Sequence, residues 1–248
     1  MKKVYVEIKN GFPINMDIQN AIDGFEYLDL EPKSFTKEDV YTGKMDLIAL
    51  KNPVVGSIDA MYQLFSNIEK LPKPIDFPME IMTNSDLVKR EIQILPLEEA
   101  ISNFRRTNIP VFIKPVKTKL FDGILVSQES HLHYFAGFIN PDVYVSEKID
   151  IVSEHRAYVH KGELKYCCSY GGNFMINPDY GYIKEIIKLY TSSPIAYTID
   201  VAILRNGDTE LIEINDMWAI GSYGLYCLNY AEMLLDRYTQ ILGWEQKS

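Results

Sequence analysis

The sequence predicts an α+β protein in which a small α/β segment precedes two mixed lobes. Three observations carry this. Strand-like alternation and helical periodicity interleave along the chain, and the stretch LPKPIDFP, with Pro72, Pro74 and Pro78, interrupts both periods. Asn206-Gly207 then joins two alternating runs in AYTIDVAILRNGDTELIEIND, a strong short-range hairpin signal. The expected divisions are residues 1–78, 79–145 and 146–248.

In the first segment KKVYVEI, FEYLDL and MDLIALKN read as short strands. SIDAMYQLFSNIEKL follows as a helix, with Ile58, Met61, Leu64, Phe65 and Ile68 at helical spacing behind a Ser57 cap. In the second, LEEAISNF reads as a helix, while IPVFIKP and GILVSQ read as strands around the loop VKTKLFDG. In the third, a strand and a connector lead into a hairpin turning at Lys161-Gly162. PDYGYIKEIIKLYTSS is helical, the Asn206-Gly207 hairpin follows, and GLYCLNYAEMLLDRYTQIL closes the chain as an amphipathic helix.

The register of the last hairpin is derivable. A two-residue turn places Leu204 opposite Thr209, Val201 opposite Ile212, Asp200 opposite Glu213 and Thr198 opposite Asn215. Asp200, Glu213 and Asn215 then share one face, with Ile199, Val201, Ile212 and Ile214 on the other. Opposed carboxylates repel unless something positive lies between them, and a divalent cation such as Mg²⁺ suits two carboxylates and an amide oxygen. Taken alone, the same face suits a solvated hairpin.

The chain has 248 residues, 47% of them hydrophobic, with a formal net charge of -9. The length allows a sizeable core, and the acidic balance argues against sequence-independent binding to nucleic acid. No apolar run has the length of a membrane span, and MKKVYVEIKN lacks a secretion-signal core, so no membrane partner is expected. Three cysteines, Cys167, Cys168 and Cys227, lack metal-type spacing and read as reduced thiols of a cytoplasmic protein. No serine or cysteine lies in a nucleophile-elbow context. His131 and His133 in SHLHYF alternate as on a strand face, a pattern that fits a metal pair and, more simply, surface residues.

Lys114 ends an apolar strand and Lys119 lies in the next loop, so two ammonium groups can converge on an anion. Solvated surface lysines show the same pattern. No Walker loop or dinucleotide fingerprint is present. Tyr170 with Gly171 and Gly172 allows close approach of bare backbone to a ligand, or a simple turn. Trp218, Tyr223 and Tyr226 follow the acidic strand and are candidates to line a substrate pocket.

A strand lysine before proline, then K-x-F-x-G, then SEKI, then E-x-R, then a hairpin ending in E-I-N resembles the ATP-grasp superfamily, and within it the clade named for an arginine and two lysines. The match spans roughly residues 105 to 240. The resemblance implies an ATP-grasp fold, two α+β lobes clasping ATP, behind a small N-terminal α/β domain. It implies that Lys114 and Lys119 meet phosphates, that Glu147, Lys148 and Ile149 form the adenine linker, and that Glu154 accepts the ribose hydroxyls. It further implies that Arg156 is the clade arginine, near the transferring phosphate or the substrate carboxylate, and that Asp200, Glu213 and Asn215 hold Mg²⁺. VKTKLFDG departs from the pattern, having one glycine where many relatives have a glycine-rich phosphate loop.

The implied activity is an ATP-dependent carboxylate–amine ligase with ATP and Mg²⁺. It would join a small-molecule or peptide carboxylate to an amine acceptor through an acyl phosphate. An ATP-binding module without ligase activity and a metal-dependent hydrolase using Asp200 and Glu213 are the alternatives, the hydrolase having no use for the two lysines.

Overall fold

Val4 and Val6 are buried on strand β1 (Lys3–Lys9), which pairs in parallel with both β3 (Glu31–Phe35) and β4 (Val54–Val55). A two-residue strand, β2 (Phe12–Pro13), folds back on the end of β1. These elements come from a computed structural model that describes residues 3–117 and 120–244.

FEYLDL, expected as a strand, is instead the end of helix α1 (Met16–Tyr27) and the turn after it. Ile18, Ala21 and Phe25 recur at helical spacing on one buried face, and the Asn15 side chain caps the first turn by accepting the Ile18 N–H at 2.9 Å. MDLIALKN likewise forms a one-turn helix, α3 (Asp46–Ala49), after α2 (Lys37–Tyr41). Helix α4 (Ile58–Asn67) starts behind the Ser57 cap, as the sequence predicts. Residues 68–78 carry no helix or strand and lead to α5 (Met79–Met82).

The middle of the chain holds β5 (Ile92–Pro96), α6 (Leu97–Thr107), β6 (Val111–Pro115), β7 (Ile124–Val126) and β8 (Asp142–Glu147). The strands form an antiparallel sheet in the order β5-β8-β6-β7, with Leu97, Ala100 and Phe104 of α6 packed on Ile113, Val126 and Val143. His131 and His133 sit in a 3₁₀ segment, Glu129–Phe135, and not on a strand. His131 Nδ1 lies 3.0 Å from the Leu125 carbonyl and 3.3 Å from the Ser127 N–H, so it ties the turn.

The last part contains β9 (Ile151–His160), β10 (Glu163–Gly172), α7 (Tyr180–Leu189), β11 (Ala196–Leu204), β12 (Thr209–Asp216) and α8 (Cys227–Leu242). Its antiparallel sheet runs β10-β9-β11-β12. One face packs on α7, where Ile199, Val201, Leu211 and Ile214 meet Ile183 and Ile186. Helix α8 joins the first segment to the last: Tyr230, Ala231 and Leu234 share a core with Ile18, Ala21 and Phe25, while Tyr238 and Leu242 share one with Phe65.

The contact of α1 with α8 depends on Gly24. A Cβ there would lie 2.1 Å from the Cys227 carbonyl oxygen and 2.6 Å from Ala231 Cβ. Gly24→Ala gains about 1 kcal/mol in helix propensity, yet pushes two helices apart, an overpacking cost of about 1–3 kcal/mol. The variant is expected to have a lower urea midpoint; an unchanged or higher midpoint would show that the helices separate freely.

Candidate functional site

Three alternating strands aim polar side chains into one cleft. On β6, Ile113 and Pro115 turn into the core while Phe112 and Lys114 line the cleft; on β8, Tyr144 and Ser146 do the same opposite them. On β12, Glu213 and Asn215 face it from the other lobe. The cavity between them has a volume of about 470 Å³, within the range of small-molecule sites. Residues 72–77 of the proline-rich segment form a further wall, and the Ile214 N–H donates to the Asp76 carbonyl at 2.9 Å, extending the edge of β12.

The expected register holds where it matters and fails near the turn. Asp200 lies opposite Glu213 and Thr198 opposite Asn215, but Val201 pairs with Leu211 and Ile203 with Thr209. Arg205, Asn206 and Gly207 form a longer connection closed by the Leu204 N–H on the Asp208 carbonyl, with Gly207 at a φ of +89°. Ile212 is the extra residue of a bulge that restores the register before Glu213. Leu211 therefore enters the core in place of Ile212, and Ile212 lines the cavity, a contact that strict alternation conceals.

The positive charge between the opposed acids is supplied by the protein. Arg156 on β9 donates from Nε and Nη2 to the two oxygens of Asp200 at 2.8 and 2.6 Å. Lys114 bonds both Glu213 and Asp76, and the Asn215 amide donates to Asp200 at 3.2 Å and to Glu213 at 2.9 Å. Repulsion across the hairpin is thus offset before any metal binds. Asp76 gave no signal in the sequence, because an acid in a proline-rich connector looks like solvated linker.

Of the residues singled out in the sequence, Glu147, Lys148, Ile149, Glu154, Lys114, Glu213 and Asn215 line the cavity. Arg156 and Asp200 do not. They lie behind its wall, 6% and 1% exposed, with the guanidinium 5.1 Å from the Tyr170 ring centroid and 4.7 Å from that of Tyr223. Tyr223, 52% exposed, is therefore a stacking partner of the arginine as well as a surface residue. Lys119 lies outside the described residues. Asp216 lines the cavity while accepting two bonds from Arg237 at 2.7 and 2.5 Å. Gly171 serves Glu154, since a Cβ there would meet Glu154 Oε2 at 2.8 Å; Gly172, at a φ of +72°, makes the bend that follows.

Burial opposes the charge on the Lys114 ammonium, but Glu213 and Asp76 outweigh it and raise its pKa above the ordinary lysine value. Burial, with the Glu213 charge adding to it, raises Glu154 above the usual carboxylate range against a hydrogen bond from Tyr170. Burial also pushes the Asp200 carboxyl up to about 6, while Arg156 is raised further above its already high value, overcoming its own burial through Asp200. The two directions pull apart on Asp200. A carboxylate accepting two short guanidinium bonds is the ionised form, so we read an ion pair at neutral pH.

Among the described residues no three His, Cys, Asp or Glu side chains are grouped to hold a metal by themselves. Mg²⁺ needs fewer, since it keeps waters and phosphates in its shell. Glu213 and the Asn215 amide, hard donors side by side on the cavity wall, fit that ion; Asp200 lies behind them, turned to Arg156. Among the described residues no helix is long and apolar enough to cross a membrane.

Two lobes with antiparallel sheets, enclosing a cleft between a strand lysine and an E-I-N strand, define a protein of the ATP-grasp ligase fold. The sequence profile of the ATP-grasp domain, R2K clade family 2, matches residues 87–233, more than half of the chain. The chain belongs to that family. No curated protein matches it in sequence. Among solved structures, the D-cycloserine synthetase DcsG is similar with a TM-score of 0.62 at 11% identity, over 95% of this chain and 99% of that one. The D-alanine–D-alanine ligase from Bacillus anthracis complexed with ATP follows at 0.57 and 13%, over 99% of both chains. The ATP-grasp ligase PsnB, complexed with a minimal precursor, Mg and ADP, gives 0.53 at 12%, over 95% of this chain and 97% of that one.

Proposed function

We propose that the protein is an ATP-dependent carboxylate–amine ligase that forms an amide through an acyl phosphate. The observation that carries this reading is the convergence of Lys114 from one lobe and Glu213 and Asn215 from the other on a cavity that Glu147, Lys148 and Ile149 also line. Phosphoryl transfer needs positioning and charge neutralisation more than a protein nucleophile, and these side chains supply both.

In this reading the linker backbone at Glu147–Ile149 and the apolar surface of Ile212 hold adenine, Glu154 accepts the ribose hydroxyls, and Lys114 neutralises phosphate. Lys119 would reach the phosphates from its loop. Asp200 fixes the Arg156 guanidinium in one plane, and the Tyr170 and Tyr223 rings hold it there. Glu213 and Asn215, with Asp200 behind them, would hold Mg²⁺, which when bound supplies charge neutralisation to the transferring phosphoryl group. The substrates are a small-molecule or peptide carboxylate and an amine. Three free cysteines suit a reducing cytoplasm.

The test is a screen of candidate acids for ADP release, with hydroxylamine present to trap an acyl phosphate as hydroxamate. ADP release without hydroxamate for any acid would overturn the acyl-phosphate step. A ligand that binds only the folded protein stabilises it by mass action, so millimolar Mg²⁺-ATP should raise the melting temperature, and no shift would count against ATP binding itself. Glu154→Ala should raise KM for ATP several-fold with kcat nearly unchanged, the pattern of lost uniform binding. An equal fall in kcat would place Glu154 in the chemical step.

A further inference from the structure

A second cavity, of about 350 Å³, lies beyond the phosphate end of the first and shares Pro72, Pro74 and Trp218 with it. Strand direction fixes its place. Along β8 the chain runs from Asp142, past Tyr144 opposite Lys114, to the linker at Glu147–Ile149, and the Val116 N–H bonds the Asp142 carbonyl. Val116, Lys117 and Asp142 therefore lie on the side of Lys114 away from the linker. Along β12 the chain passes Ile212, Glu213 and Asn215 before reaching Trp218. Both lobes thus bring the same end of the cleft to this cavity, and Tyr62 and Leu71 close it from the first segment.

Its lining has a specific chemistry. Tyr62, Leu71 and Trp218 are half-buried and present apolar or aromatic surface. Lys117 Nζ stands 5.8 Å from the Tyr62 ring centroid, a cation held at the wall. Asp142 lines the same cavity and supplies one negative charge. Among the described residues neither Lys117 nor Asp142 forms a salt bridge. One cation, one anion and aromatic walls in a space of this size are complementary to a zwitterion bearing a flat apolar group.

We propose that this cavity binds a free α-amino acid with an aromatic side chain, as one of the two reactants. Its carboxylate meets Lys117, its ammonium meets Asp142, and its ring packs between Tyr62 and Trp218. The proposal rests on the ligase reading for the role of the ligand but not for its binding. Tyr62 and Trp218 set specificity, Tyr62 from the first segment and Trp218 from the turn that follows β12.

Binding can be measured without ATP through Trp218 fluorescence in a Trp244→Phe background, which leaves Trp218 as the sole tryptophan of the two in the chain. L-phenylalanine should bind saturably and about tenfold or more tighter than L-alanine, 3-phenylpropionate or 2-phenylethylamine, each of which lacks one recognised group. Lys117→Met, at an exposed position, and Tyr62→Ala should each weaken L-phenylalanine by about tenfold. Equal affinity for L-alanine, or unchanged affinity in Lys117→Met, overturns the proposal. ADP release with another acid but no L-phenylalanine binding overturns the subsite alone. Tight L-phenylalanine binding with no ATP turnover sustains the subsite and overturns the ligase reading.

Discussion

Replacing Glu213 with Gln is expected to lower ATP turnover by on the order of 10²-fold or more, the scale for removing one preorganised group that neutralises transition-state charge. The carboxylate faces the cavity beside Asn215 and bonds Lys114, so in the proposed reading the substitution weakens a cation ligand, and it leaves Lys114 with Asp76 as its remaining carboxylate partner. Register by itself suggests that the metal-free fold gains stability when one of two opposed acids is neutralised. The pairing reverses that expectation. Glu213 is held by Lys114 and Asn215, and Asp200 by Arg156, so removing the Glu213 charge forfeits a charged hydrogen bond worth about 1.5–3 kcal/mol. Lys114 retains Asp76, and the net loss should fall near the bottom of that range. A melting curve without metal and a turnover assay across a Mg²⁺ titration measure both parts. A variant more stable than its parent would show that repulsion dominates; one fully active at low Mg²⁺ would place the cation elsewhere.

The parts of this arrangement that were legible in the sequence are those set by local periodicity. The Asn206-Gly207 signal and period-two alternation put Asp200 opposite Glu213 despite the wrong turn length, because the bulge at Ile212 compensates for the longer connection. Lys114 was legible as the last polar residue of an apolar strand. Two kinds of feature were not. FEYLDL reads as a strand in isolation, and only the Asn15 cap and the burial of Ile18 and Ala21 further upstream make its first residues helical. Long-range pairing leaves no periodic trace: the bond of Asp76 to Lys114 spans 38 residues, and that of Arg156 to Asp200 spans 44. The cation–π contacts of Tyr170 and Tyr223 with Arg156 belong to the same class.

Asp200 is where these contacts change the assignment most. The resemblance gives it to the metal, yet the structure spends both of its oxygens on Arg156 and leaves it 1% exposed behind the cavity wall. If its first duty is to position the arginine, Asp200→Asn should damage the protein before any nucleotide or metal is added. An amide can accept one guanidinium bond but leaves the buried charge of Arg156 without its counter-ion, and breaking a buried pair in this way costs about 3–5 kcal/mol. For a chain of this length that is a fall in melting temperature of about 10 °C, at roughly 2–4 °C per kcal/mol. Turnover should fall as well, through a mobile arginine, and raising Mg²⁺ should restore little of it. Asn215→Ala provides the contrast. It removes a neutral side chain, a proposed cation ligand, from the cavity wall and keeps the Arg156–Asp200 pair, so its metal-free melting point should move less and its turnover should recover as Mg²⁺ rises. Melting without metal and turnover against Mg²⁺, measured for both variants, separate the roles. An Asp200→Asn protein as stable as its parent without metal, and rescued by Mg²⁺ in the manner of Asn215→Ala, would return Asp200 to the metal and leave the arginine to be held by its two tyrosines.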